Sequence, residues 1–365
     1  MVSRRNLLLG GGTLAVVGIG TAAFVVRNMG SMGEYEAAAA AIRAPLPSMP
    51  QPADLVRYAT LAASGHNTQP WRFRIRDTGI DILPDLARRT AVVDPDDHHL
   101  YASLGCAAEN LSIAAAATGR TGQLSFDPAG DGSLTYAFGD GPAGESVLFD
   151  AIPLRQSTRG DYDGQPVAGA DLQKLAAAAA VPGVDMVLLT ERTRIDTLRD
   201  LVLAGNAAQL ADPDFVRELK ASLRFSPRRA IATGDGLFSV SSGNPALPEW
   251  LGPLMFDLVF TADAENARYA AQIDSSAGVA VFVAEKDDPE HWVRAGRACQ
   301  RFALQASALG IRHAFVNQPV EVASFRPELA ALVGLPGRRP NLVMRFGYGP
   351  TLPYSMRRPV PAVLA

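Results

Sequence analysis

Ser64-Gly65-His66-Asn67-Thr68-Gln69-Pro70-Trp71 follows an alanine-rich helical run, Asp54 to Ala63, and leads straight into alternating Trp71, Phe73 and Ile75. The stretch therefore reads as a helix-to-strand loop. Small residues at 64 and 65 let backbone N–H groups approach a ligand closely, while Asn67 and Gln69 add side-chain donors and acceptors. Pro70 stiffens the exit and Trp71 anchors it in the core. A polar connection with no ligand would have the same composition, so both readings stand at this point.

The chain has 365 residues, 48% of them hydrophobic, enough for two domains or one large one with a substantial core. A net charge of −3 with 19% charged residues gives no basic stripe and little support for a nucleic-acid partner. Cys106 and Cys299 lie in apolar helical runs, as buried thiols do, and neither has metal-ligand spacing. His98 and His99 beside Asp94, Asp96 and Asp97 read as a capped turn before a helix, because adjacent histidines seldom point at one ion. No metal is expected.

Ser3-Arg4-Arg5-Asn6-Leu7-Leu8-Leu9 opens the chain, and an apolar, glycine-rich run extends from Leu7 to Val26. Paired arginines before a weakly hydrophobic segment match a twin-arginine export signal. The run is about long enough to span a bilayer, so it could stay as a membrane anchor. The expected location is periplasmic or extracytoplasmic. Residues 31–52, with four prolines, read as a short helix and a linker.

Leu104, Ala107, Ala108, Leu111, Ala115 and Thr118 have the spacing of a core-facing helix ended by Gly119. Moving 191 positions along gives Ala295, Ala298, Cys299, Phe302, Ala306 and Leu309, ended by Gly310, with Gly105 falling on Gly296 and Glu109 on Gln300. Asp54-Leu55 opens a helix leading to a strand at Trp71, and Asp171-Leu172 opens one leading to Val184–Leu189. The pattern is that of an internal duplication. A hairpin is expected at Trp71–Arg76 and Ile80–Leu83 around Asp77-Thr78-Gly79, with further strands at Val279–Ala284 and Leu342–Phe346. The irregular alternation of helices and strands indicates an α+β fold.

Residues 153–167 place Arg155, Ser157 and Arg159 at alternate positions. Two guanidiniums flanking a hydroxyl suit a phosphate monoester, although arginines in a loop are more commonly just solvated. The Asn-x-Gln-Pro-Trp loop, together with Arg-x-Ser-x-Arg followed by an aromatic and Pro-Val, resembles the nitroreductase family, FMN-dependent oxidoreductases with an α+β fold. Among these the long, Acg-like chains are the most similar.

The resemblance implies FMN as cofactor. Arg155 and Ser157 would hold its phosphate, and Arg159 would lie near flavin N1 and O2 as the residue acting in catalysis. Ser64, Gly65, His66, Asn67 and Gln69 would contact the flavin, and the closing Arg357-Arg358 would reach the phosphate. His313 would lie near the flavin edge. Ala63 and Gly65 depart from the Pro and Ser that the family often has, removing one hydroxyl contact. The family is usually dimeric, so two fused halves imply a monomeric pseudo-dimer.

The implied organisation is residues 1–30 signal or anchor, 31–52 linker, 53–150 first half and 151–365 second half. The region corresponding to the loop in the second half, residues 178–185, lacks the Asn-x-Gln-Pro-Trp sequence, so one flavin per chain is expected. Residues 192–270 form an insertion with a helix capped by Asp212-Pro213. Its Gly/Ser/Pro-rich stretch, Gly234 to Trp250, suits a lid, with Phe238, Leu247 and Trp250 able to cover a ring. The implied activity is hydride transfer from NAD(P)H to flavin and on to a nitro compound or quinone. The alternative is an FMN store under a closed lid.

Overall fold

The computed structural model describes residues 28–365; the expected export signal lies outside the described residues. The first part of the chain forms helix α1 (Met32–Ile42), α2 (Pro52–Thr60), strands β1 (Trp71–Arg76) and β2 (Gly79–Pro84), the long helix α3 (His98–Ala117), β3 (Gly122–Phe126), β4 (Leu134–Phe138) and a short α4 (Val147–Ala151). After it come α5 (Gly169–Ala178), β5 (Val184–Leu189), α6 (Arg192–Leu210), α7 (Pro213–Ser222), β6 (Leu223–Arg224), α8 (Pro227–Thr233), β7 (Leu237–Phe238), α9 (Gly252–Val259) and α10 (Ala262–Asp274). The chain ends with β8 (Gly278–Ala284), α11 (Pro289–Ala308), β9 (Arg312–Phe315), α12 (Gln318–Glu321), α13 (Arg326–Leu332), β10 (Pro340–Gly347) and α14 (Val360–Val363). Among the described residues no helix is long and apolar enough to cross a membrane.

Two four-stranded antiparallel sheets result, ordered β1-β2-β4-β3 and β5-β8-β10-β9. The expected hairpin forms, with Trp71 opposite Pro84 and Arg76 opposite Gly79, so the turn is Asp77-Thr78 and Gly79 already belongs to the strand. Strands β8 and β10 are buried along their whole length because helices cover both faces of the second sheet, which is why they read as unbroken apolar runs. Phe282, Phe302 and Phe346 pack on the α11 side; Val279, Val281 and Val343 pack towards α6 and α13. The last residues of the chain return to the first sheet, where the Ala365 amide donates to the Phe73 carbonyl at 2.8 Å.

Between the sheets α3 and α11 cross, and their glycines decide how closely. A Cβ on Gly105 would stand 2.0 Å from the Val293 carbonyl oxygen, and one on Gly296 would stand 1.9 Å from that of Ala102. Each glycine faces the residue three positions before the other, so the crossing is symmetric. Both helices end alike. Gly119 and Gly310 adopt φ of +81° and +72°, and the following amides, of Arg120 and Ile311, return to Ala115 and Ala306 at 2.9 and 2.8 Å. Polar groups also cross the seam: the buried Glu109 carboxylate accepts from Arg297 and Arg301, both at 2.7 Å, and Gln300 donates to Asn110 at 2.8 Å.

Candidate functional site

The loop at 64–71 turns tightly. Ser64 Oγ accepts the Gln69 amide at 3.1 Å, and His66, Asn67 and Gln69 hold φ of 45°, 53° and 53°. Three non-glycine residues in the left-handed region in so short a run mark local strain that the surrounding packing must hold. Trp71, fully buried, anchors the exit.

The holding is done by the loop's own amides. Asn67 Nδ2 donates to the Gly236 and Met356 carbonyls at 3.0 and 3.2 Å, and its Oδ1 accepts from Arg357 at 3.0 Å. Gln69 Nε2 donates to the Gly234 carbonyl at 2.8 Å, and its Oε1 accepts the Arg358 amide at 2.9 Å. Arg357, buried, also donates to the Thr60 carbonyl at 2.7 Å and the Ala62 carbonyl at 3.1 Å. Arg358 reaches the Gln69 and Ala362 carbonyls and lies 3.8 Å from Asp85. Expected as flavin contacts, Asn67, Gln69, Arg357 and Arg358 instead tie the loop to residues 234–236 and to the C-terminal segment. An amide whose oxygen and nitrogen are both taken by other groups of the protein has little left for a ligand.

The other half of the loop faces a cavity of about 540 Å³. Ser64, Gly65 and His66 line it together with His99, Ala102, Ser103 and Cys106 of α3, Arg159, and Ala314 and Phe315 of β9. The insertion supplies the roof, including Phe215, Phe225, Leu247, Met255, Phe256 and Phe260. Of the three residues expected to cover a ring, Leu247 does line the cavity. Phe238 is buried instead beside Tyr35, and Trp250 points to solvent.

A polar corner closes the far wall. Gln209 donates to Glu321 Oε2 at 2.6 Å, and His99 Nε2 stands 3.7 Å from Glu321 Oε1. Burial raises the Glu321 carboxyl, against which His99 pulls it down; burial lowers His99, against which Glu321 pulls it up. Burial, with Arg159 and His99 adding to it, pushes His66 down to about 4, so it is a neutral imidazole near pH 7. The small accessible surface of these groups faces the cavity. Glu321, Gln209 and Ser103 carry no sequence signal of their own; they arrive by the folding of α6, α12 and α3. Asp94 behaves as expected, accepting the His99 and Leu100 amides at 2.9 Å each at the start of α3.

Arg155 and Ser157 lie outside the cavity lining. Arg155 donates through Nη2 to the Leu61 carbonyl at 3.0 Å, while its Nε and Nη1 are buried with no partner. Its electrostatic neighbours are Cys106, a lining residue, then Cys299 and Arg159. Ser157 runs beside β9, where Thr158 donates its amide to the His313 carbonyl at 2.8 Å. Thr158 Oγ1 and both ring nitrogens of His313 are also buried without partners. These orphaned polar atoms around one buried cation are ones that an anionic, hydrogen-bonding group would satisfy.

The Nitroreductase family profile matches residues 154–348, more than half of the chain. Two Mycobacterium tuberculosis proteins that carry the name NAD(P)H nitroreductase are similar. One is 28% identical over 317 residues, covering 84% of this chain and 88% of its own length. The other, acg, is 24% identical over 325 residues, covering 84% and 93%. Among solved structures, a nitroreductase with bound FMN from Bacteroides fragilis is 16% identical, covers 57% of this chain and 90% of its own, and has a TM-score of 0.36.

Proposed function

We propose that this chain, which belongs to the nitroreductase family, is an FMN-dependent NAD(P)H oxidoreductase whose flavin occupies the cavity walled by Ser64, Gly65, His66 and Arg159. The observation that carries the reading is Arg155: a buried guanidinium with two unpartnered donors that interacts electrostatically with Cys106, a residue lining the cavity of about 540 Å³. That volume lies within the roughly 300–1,000 Å³ of small-molecule sites. A buried cation with unpaired N–H groups is costly, and a phosphate reaching it would satisfy both. The names of the M. tuberculosis relatives support the nicotinamide donor.

When bound, FMN supplies hydride acceptance and release at its N5. Arg159 contributes a cation at the wall, able to stabilise negative charge that develops on a bound ring. His66 stays neutral and offers hydrogen bonding without adding charge. The phenylalanine-rich roof excludes water. The acceptor is a small molecule such as a nitro compound or quinone. The same roof favours a second reading, a protein that holds FMN with little turnover.

The two halves are read as a fused pseudo-dimer with one flavin, supported by the symmetric glycine contacts of α3 and α11. Export by the twin-arginine route, with residues 7–26 as signal or retained anchor, is the proposed localisation, supported by Arg4-Arg5 and the apolar run. The visible spectrum of the purified chain tests the main reading. A yellow protein with one FMN that oxidises NADH or NADPH in the presence of a nitroaromatic acceptor supports the enzyme. Bound FMN without turnover leaves the store, and a colourless protein that ignores added FMN removes both.

A further inference from the structure

Helix α9 is apolar on two faces. Met255, Phe256 and Val259, with Phe260 just beyond its end, line the cavity, whereas Leu254 (61% exposed) and Leu258 (72%) point outward, with Trp250 (65%) in the turn two residues before the helix. The spacing of four residues puts Leu254 and Leu258 one above the other on the helix, with Trp250 leading into it. A contiguous exposed stripe of this kind marks an interaction surface, unlike single scattered apolar residues. Asp257, at the edge of the stripe, is held by Lys220 at 2.6 and 2.7 Å, so the pair brings no net charge.

The described residues begin near the same place. Asn28, the first described residue, accepts from Arg228 Nη1 at 3.4 Å in α8. The N-cap of that helix, Ser226, donates its amide and hydroxyl to Glu249 Oε1 at 2.8 and 2.9 Å, and Trp250 is the next residue. Ahead of Asn28 lies the Leu7–Val26 run of about bilayer-spanning length. Arg229, exposed on α8 next to Arg228, gives this region a cation suited to anionic headgroups.

We propose that the Trp250–Leu254–Leu258 stripe docks on a phospholipid surface, so that the roof of the cavity is a membrane-facing helix. The aromatic residue at the end of the stripe, the paired leucines and the nearby Arg229 are the parts of an interfacial helix. With α9 seated in the headgroup layer, the inner face of the same helix opens onto the cavity, which places cavity access next to the lipid. The proposal draws on the anchor reading of residues 7–26 and stands independently of the flavin.

Tryptophan fluorescence of the full chain with phosphatidylcholine–phosphatidylglycerol vesicles carrying brominated acyl chains tests it. Trp71 is fully buried and Trp292 is 7% exposed, so Trp250 is the tryptophan that lipid can reach. Quenching by the brominated chains, absent in Trp250→Phe and reduced at least about threefold in L254S/L258S, is the expected result. Vesicle-bound chain whose Trp250 stays open to aqueous iodide would overturn the docking while leaving the anchor intact. Trp250 shielded from iodide without lipid would also overturn it. Sedimentation of that sample then shows whether a second copy or residues 7–26 cover the stripe.

Discussion

Two clefts flank the crossed helices among the described residues, lined on α3 and α11 by side chains 191 positions apart, and they differ in what fills them. In the larger, Ser64 and Gly65 meet His99, Ala102, Ser103 and Cys106; 191 positions along from those four helix residues, Glu290, Val293, Arg294 and Arg297 line the smaller, with Val181 and Pro182 from the matching loop. The volumes are about 540 and 260 Å³. Small, uncharged side chains on α3 leave the first cleft open. On α11 the same positions carry arginines, one paired with Glu290 within the helix and the other with Glu109 across the seam. Arg294 also crowds the loop, its Nη1 lying 3.1 Å from where a Cβ on Gly183 would be. The two crossed helices thus border one cavity able to take a ligand and one occupied by the protein's own charges.

If the difference is functional, the largest effect lies at Arg155. Replacing it with Ala should weaken FMN binding by about 2–5 kcal/mol, the scale of a buried charged partner removed, with Lys recovering part because the fork geometry is lost. Titration of FMN fluorescence reads both. Equal affinity in wild type and Arg155→Ala would take that arginine out of the site.

Next is acid stability. His313 is buried beside Arg155, and burial, with Arg155 and Arg312 adding to it, holds its pKa down to about 3. A histidine lowered in the fold takes up its proton only in the unfolded chain as pH falls below 6.5, so stability is present above that pH and is lost between 6.5 and about 3. The loss approaches about 1.4 kcal/mol per pH unit for this one group. His313→Leu should flatten the slope over that window in urea unfolding. An unchanged slope would mean that His313 is protonated in the fold, held by a partner that the unoccupied ring nitrogens do not show.

How far these differences were legible in the sequence varies by what each depends on. The helices α3 and α11 were readable from their apolar spacing and closing glycines, and the hairpin because its turn is local, whereas the crossing at Gly105 and Gly296 had no signal beyond the 191-residue match. The cavity wall at Arg159 and the Ser64–His66 edge also came from motifs. Asn67 and Gln69 misled, because a side-chain amide in a loop looks the same whether it serves a ligand or a distant backbone. Here residues 234–236 and 356–358 take those groups, and sequence separation hides such pairings. Glu321 and Gln209 were invisible for the same reason. Trp250 was expected to cover a ring; its outward direction is set by how Glu249 is tied to Ser226, a contact with no local signature.

The symmetry itself can be tested at its glycines. Gly105→Ala and Gly296→Ala each place a methyl within about 2.0 Å of a carbonyl oxygen on the facing helix, so the helices must move apart. Overpacking of this kind costs about 1–3 kcal/mol, and the two variants should lower the thermal midpoint by similar amounts. A harmless change at one glycine and not the other would show that the crossing is tighter in one half.

The smallest effect concerns the second cleft. Arg294 and Glu290 are each about a third exposed and four residues apart on one helix, so their pairing is worth about 0.3–0.5 kcal/mol after solvent screening. Arg294→Ala should therefore lower stability by no more than that. It should also leave the FMN stoichiometry at one per chain, because Pro182 offers no backbone N–H where Gly65 has one, and no counterpart of Arg159 lines the smaller cleft. Clearing charge makes room without supplying donors. Binding of a second FMN by Arg294→Ala, measured by absorbance after gel filtration, would show that the arginine alone separates the two clefts and that the loop chemistry matters less than its filling.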